Sequence, residues 1–296
     1  MLAAAHAEFP VIREVFDEAS QTLGYALWEL VEQGPQEALN LTATTQPLLL
    51  TASFALWRAW RAEGGAAPAV MAGHSLGEFS ALVCAGALDF QAALKLVEKR
   101  GEFMQSAVPV GEGAMAAILG LEDEVVNAIC ADVAGDSSGM VAAVNYNAPG
   151  QVVIAGHVAA VETAIDALKS AGAKRAMPLP VSAPFHTQLM APAGMRLDEI
   201  LQSVTIHQPG IPVIHNVHAA AEENPERIRE LLVKQISSPV QWTKCVLAIR
   251  DSGAEHIVEC GPGAVLTGLN KRIDKTLTSY TLEEPDALRS ALNALS

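Results

Sequence analysis

Placed at about 100° per residue, the stretch from Phe90 to Ser106 separates its side chains by character. Phe90, Ala93, Leu94, Val97, Gly101 and Met104 fall on one face, and Lys95, Glu98, Lys99 and Glu102 on the opposite one. This pattern predicts an amphipathic helix, with Asp89 as its N-cap. Arg100 breaks the separation, because it falls inside the apolar arc between Leu96 and Val97. Upstream, Thr44 or Thr45 is placed to cap a helix that carries Pro47 in its first turn and ends at Gly64-Gly65. The short apolar run 69–72 predicts a buried strand, and 79–85 a helix stopped by Gly86.

From Gly113 the rhythm changes. Strands are expected at 114–119, 141–146, 151–155 and 174–179, with helices at 122–131 and 159–170. The order β-α-β-β-α-β is that of a ferredoxin-like unit. Further on, 212–216 and His256–Glu259 have the character of short buried strands. Helices are expected at Pro225–Gln235, 241–252 and 265–271. Strands alternating with helices imply a mostly parallel sheet. The expectation is an α/β chain: a hydrolase-like large domain built from 1–112 and 180–296, with a ferredoxin-like small domain, 113–179, inserted.

The junction between the 69–72 strand and the next helix reads Gly73-His74-Ser75-Leu76-Gly77. Gly-x-Ser-x-Gly between a strand and a helix is a nucleophile elbow, in which a sharp turn exposes the serine hydroxyl. The amide of Leu76 would then face an oxyanion formed beside Ser75. An ordinary glycine-rich loop gives the same letters. A serine nucleophile needs a base, and His74 is badly placed because neighbouring side chains in a turn diverge. His186, in Pro184-Phe185-His186-Thr187, lies just after the chain returns from the insertion and could reach the elbow. An inward guanidinium at Arg100 requires an anion or several acceptors. Either an internal carboxylate pairs with it, or it clamps a carboxylate of a substrate.

Composition narrows the partners. Half of the 296 residues are hydrophobic, enough for one large or two modest domains, and 19 basic against 33 acidic residues give a net charge of −14. This balance argues against general binding to nucleic acid or an anionic membrane. Four widely separated cysteines lack Cys-x-x-Cys spacing, so neither a disulfide framework nor a zinc or other metal site is expected, and a reducing cytoplasm fits. The first residues lack the pattern of a secretory signal, and no apolar run is long enough to span a membrane.

Gly73-His74-Ser75-Leu76-Gly77-Glu78, Leu96-Val97-Glu98-Lys99-Arg100-Gly101, Asn145-Tyr146-Asn147-Ala148-Pro149-Gly150-Gln151 and Pro184-Phe185-His186 together resemble the malonyl-CoA:acyl carrier protein transacylases of bacterial fatty-acid synthesis. Ser238-Pro239-Val240-Gln241-Trp242 and Glu259-Cys260-Gly261-Pro262-Gly263-Ala264-Val265-Leu266 extend the resemblance over essentially the whole chain. It implies ping-pong transfer through a malonyl ester of Ser75, with His186 as general base and then general acid. The backbone carbonyl of Gln235 would orient His186, the amide of Leu76 would stabilise the oxyanion, and Arg100 would hold the free carboxylate of malonate. Phe185 resembles the aromatic that accompanies malonyl selection, and Lys271 and Arg272 match a docking patch for the acidic carrier protein. The resemblance implies no cofactor: malonyl-CoA is substrate, and the carrier protein brings its own phosphopantetheine.

The family begins with a strand and a Gly-Gln-Gly-Ser-Gln-type loop, whereas Met1-Leu2-Ala3 aligns just after that loop. The expectation here is a start assigned at an internal methionine. Two rivals remain open at this stage. An α/β-hydrolase, such as an esterase or thioesterase, would share the elbow and use a late histidine such as His256. A catalytically impaired relic would bind carrier protein without turnover.

Overall fold

The computed structural model describes residues 1–136, 139–181 and 183–295. Four helices come first: α1 (Ala3–Glu8), α2 (Pro10–Leu23), α3 (Leu27–Gln33) and α4 (Gln36–Leu39). They lead into the long helix α5 (Thr42–Ala62), which starts earlier than its threonines suggest. Leu41 occupies the N-cap without a side-chain bond, and Thr45 Oγ1 turns back to the carbonyls of Leu39 and Leu41. Pro47 therefore lies inside the helix. An interior proline costs about 3 kcal/mol, and packing offsets it: Pro47 is itself buried, and Leu48, Ala55, Leu56 and Ala59 of the same helix belong to the main core.

The strand β1 (Met71–Ala72) is only two residues long and feeds α6 (Leu76–Cys84), which begins three residues before the periodicity suggests. The amphipathic helix α7 (Phe90–Ser106) forms as expected, with the Asp89 carboxylate accepting the amide of Ala92 at 2.9 Å. It crosses the start of α5 at contact distance. A Cβ on Gly101 would stand 2.5 Å from the Thr42 carbonyl, so only glycine lets the two helices meet there.

Next come β2 (Gly113–Leu119), α8 (Asp123–Gly135), β3 (Val141–Ala148), β4 (Gln151–His157), α9 (Val158–Ser170) and β5 (Arg175–Pro178). Their sheet has the order β3-β4-β2-β5, with every neighbouring pair antiparallel, which is the ferredoxin-like arrangement. It has its own core: Ala116, Ile118, Val152 and Ile154 from the strands meet Val126, Val161 and Leu168 from the helices.

The remainder holds α10 (Ala191–Leu201), β6 (Val213–Ile214), α11 (Pro225–Gln235), α12 (Trp242–Asp251), β7 (His256–Glu259), α13 (Val265–Ile273), β8 (Thr278–Thr281) and α14 (Pro285–Ala294). Among the described residues the parallel sheet appears as two separate parallel pairs, β1 with β6 and β7 with β8. The first pair joins chain from either side of the small sheet, with Ser75 and Asn216 following its two strands. A second seam runs through Val240, whose amide donates to the Val144 carbonyl and whose carbonyl accepts from Tyr146. Among the described residues, no helix is long and apolar enough to cross a membrane.

Candidate active site

Ser75 sits between β1 and α6 with φ 51° and ψ −105°, a backbone state that a non-glycine residue rarely adopts. Gly73 makes the turn feasible, since a Cβ there would lie 1.9 Å from the carbonyl carbon of Gly77. Gly77 is different: an added Cβ meets no atom within 4 Å, so crowding explains only the first of the two elbow glycines.

A side chain that sequence reasoning did not single out holds this strained turn. Asn216, just past β6, accepts the Ser75 amide on Oδ1 at 2.7 Å and donates Nδ2 to the Gly73 carbonyl at 2.7 Å. Its own amide donates to Glu78 Oε2 at 2.8 Å, and Glu78 Oε1 lies 2.7 Å from His215 Nδ1. Glu78, His215 and Asn216 are all fully buried. A signal for Glu78 was available, because it shares a helix face with Leu82 four residues on, in a helix with few other polar positions. Asn216 gives no such signal. Asn216→Ala leaves the Ser75 amide and the Gly73 carbonyl unpaired in the interior and should lower stability by about 2–3 kcal/mol. A urea midpoint equal to that of the parent chain would show that Asn216 carries no such load.

Ser75 Oγ lies 2.8 Å from His186 Nε2, and His186 Nδ1 lies 3.0 Å from the Gln235 carbonyl oxygen. A carbonyl can only accept, so Nδ1 carries the proton and Nε2 presents its lone pair to the serine hydroxyl. His186 is buried, and burial together with the nearby charge of Arg100 pushes its pKa down to about 3, against the opposing bond to Gln235. The imidazole is therefore neutral and ready to take a proton at neutral pH.

Arg100 is 1% exposed. Nη1 donates to Gln46 Oε1 at 2.7 Å, and Nη2 donates to Gln235 Oε1 at 2.8 Å and to Ser75 Oγ at 3.1 Å. The group also stands 5.2 Å from the centre of the Phe79 ring. Burial lowers its pKa to about 10, with Glu78 pulling the other way, so it stays cationic at neutral pH. Among the described residues no carboxylate pairs with it, so the internal ion pair left open by the sequence is not formed.

Arg100, Ser75 and His186 converge on one cavity of about 280 Å³, which Gln46, Met115 and Phe185 also line. The Leu76 amide opens α6 beside Ser75 and makes no hydrogen bond among the described residues. His74 also lines the cavity, but its Nε2 lies 2.8 Å from Asn147 Oδ1 and its ring is beside Trp242. The late histidine a hydrolase would need, His256, is exposed on β7 with its ring against Tyr280. Lys271 and Arg272 lie outside the cavity, exposed in the last turn of α13, where Arg272 donates to Gln151 Oε1. The side chain of Gln235 was also missed: it meets Arg100 through Oε1 and donates Nε2 to the Ser75 carbonyl at 3.1 Å.

Residues 4–286 match the family described as "Acyl transferase domain". The chain is 56% identical over 292 residues to the malonyl CoA-acyl carrier protein transacylase of Escherichia coli K12, covering 99% of this chain and 94% of the relative. It superposes on the solved malonyl CoA-acyl carrier protein transacylase of Coxiella burnetii with a TM-score of 0.98 at 46% identity, covering 100% of this chain and 93% of that one. A third relative is a malonyl-transacylase solved in complex with its type II PKS acyl-carrier protein, 51% identical, with a TM-score of 0.97 and coverage of 99% and 94%. With identity of this order along nearly its full length, the chain belongs to the malonyl CoA-acyl carrier protein transacylase family of acyl transferases.

Proposed function

We propose that this chain transfers the malonyl group from malonyl-CoA to the phosphopantetheine thiol of acyl carrier protein in fatty-acid biosynthesis, through a malonyl ester of Ser75. The observation that carries this reading is the Ser75 hydroxyl itself, held at once by a neutral imidazole and a buried guanidinium. In the first half-reaction Ser75 Oγ attacks the thioester carbonyl carbon while its proton passes to His186 Nε2. The Leu76 amide donates to the oxyanion. The C–S bond then breaks, and His186 returns the proton to the departing CoA sulfur. In the second half-reaction the carrier thiol gives its proton to His186 and attacks the ester, and Ser75 leaves with that proton restored.

Gln235 stabilises the transient imidazolium through its carbonyl, Arg100 receives the free carboxylate of malonate, and Phe185 forms a wall beside the acyl group. No bound cofactor enters these steps, since the phosphopantetheine arrives on the partner. Residues 1–112 and 180–296 act as the large unit and 113–179 as the inserted small one, with the cavity where they meet. The four free cysteines suit a reducing cytoplasm as the place of reaction.

Incubation with malonyl-CoA alone, followed by intact-mass measurement, should show one malonyl group on the chain and none on Ser75→Ala. Holo carrier protein should then remove it. A parent chain that gains no malonyl group overturns the reading. For docking, Lys271 and Arg272 supply positive charge to an acidic partner despite the net charge of −14. Changing both to Glu should raise KM for carrier protein about tenfold at low salt, with the effect shrinking as salt is added. An unchanged KM rejects the patch.

A further inference from the structure

Arg100 is a buried cation whose direct partners are all neutral. The usual way to hold a guanidinium in the interior is a carboxylate, which matches its fork and cancels its charge. Here two amides hold it instead. Gln46 reaches in from α5 and is 6% exposed, and Gln235 reaches in from the end of α11 and is fully buried. Each gives one carbonyl oxygen to a different terminal nitrogen of the guanidinium, at 2.7 and 2.8 Å. Arg100 Nε has no partner among the described residues. The amide oxygens fix where the fork points, but they contribute dipoles and no net charge.

We propose that Gln46 and the side chain of Gln235 form a charge-neutral cradle that aims Arg100 while leaving its guanidinium without a directly paired carboxylate, and that this neutrality makes the cavity select an acyl group with a free carboxylate over an uncharged one. The inference rests on the malonyl-transfer reading and deepens it. Arginine alone is not enough for such selection. With a carboxylate at position 46, at the distance the Gln46 oxygen now holds, Arg100 would already be paired. An entering diacid would then meet a neutralised clamp and a like charge beside it, whereas an uncharged acyl group would lose much less. Gln235 carries two further contacts, to Ser75 and His186, so Gln46 is the cleaner position to probe.

The test compares kcat/KM for malonyl-CoA and acetyl-CoA, with one holo carrier protein as acceptor, in the parent chain, Gln46→Glu, Gln46→Met and Gln235→Glu. Gln46→Glu should lower the malonyl-to-acetyl ratio about 100-fold or more. Gln46→Met removes an acceptor without adding charge and should change the ratio less than about tenfold. Gln235→Glu introduces the same charge from the opposite arm and should shift the ratio in the same direction, so the proposal stays testable if one variant does not fold. Equal losses for both substrates in the two Glu variants, or a ratio that Gln46→Met lowers as far as Gln46→Glu, would overturn the cradle. A parent chain that transfers no malonyl group fails the functional reading instead, and the two failures are distinct.

Discussion

Replacing Arg100 by alanine should lower kcat/KM for malonyl-CoA by roughly 30- to 4,000-fold. The expectation follows from removing one side of a buried charge-assisted contact, which costs about 2–5 kcal/mol, at about 1.4 kcal/mol per factor of ten in rate. Three features place this residue at the upper end of ordinary effects. The guanidinium is sequestered from solvent, no carboxylate is in direct contact with it among the described residues, and it touches Ser75 Oγ at 3.1 Å. Transfer from acetyl-CoA gains nothing from that charge, so it should fall far less. Parallel steady-state measurements with both thioesters check this, and equal losses would mean that Arg100 supports only the architecture of the pocket. A modest loss of stability is expected besides, since Gln46 Oε1 and Gln235 Oε1 lose the donor they now accept from.

The second large effect is at His186. In the proposed mechanism His186→Ala removes both the acceptor for the Ser75 proton and the donor to the leaving sulfur, and the rate of Ser75 acylation should drop about 10⁴-fold. The environment of the imidazole adds a pH signature. Its pKa is held at about 3, so the base is already deprotonated throughout the mildly acid range. The profile of kcat/KM should therefore lack the acid limb near pH 6.5 that an ordinary histidine gives. Stability carries the same group with a fixed sign. Between about pH 3 and 6.5 the unfolded chain binds a proton that the native chain does not, so stability rises with pH there and is lost on acidification. From pH 7.5 down to 5 this one group removes at most about 2 kcal/mol. Urea midpoints at the two pH values should show a drop in the parent chain and a smaller one in His186→Ala.

Much of the fold was legible because its signals are local. The helix around Arg100 is an i, i+3, i+4 pattern with a capping aspartate, and the small domain announces itself by four strands of at least four residues in a known order. The elbow is a five-residue spacing. The helical spacing of Ile12, Val15, Phe16 and Ala19 on α2 was equally available and was passed over. Other features left no periodic trace. The strands β1 and β6 are two residues each, too short for alternation to register. Gln46 and Asn216 act as single side chains across 54 and 141 positions of sequence, and nothing around either one marks it as inward. Thr44 and Thr45 misled for a related reason: a good capping residue is a preference that packing against Gly101 can override. In the site, hydroxyl, imidazole and guanidinium were each legible, but the amides that aim and restrain them were not.

Gln235, the last residue of α11, meets His186 with its carbonyl oxygen, Arg100 with Oε1 and the Ser75 backbone with Nε2. One residue thereby acts as a common fiducial for three groups drawn from distant parts of the chain. When the end of that helix drifts, the reacting parts should travel in unison and keep their mutual alignment. An engineer who grafts this chemistry onto another scaffold should therefore transplant that helix terminus as the reference point and adjust every other part to it.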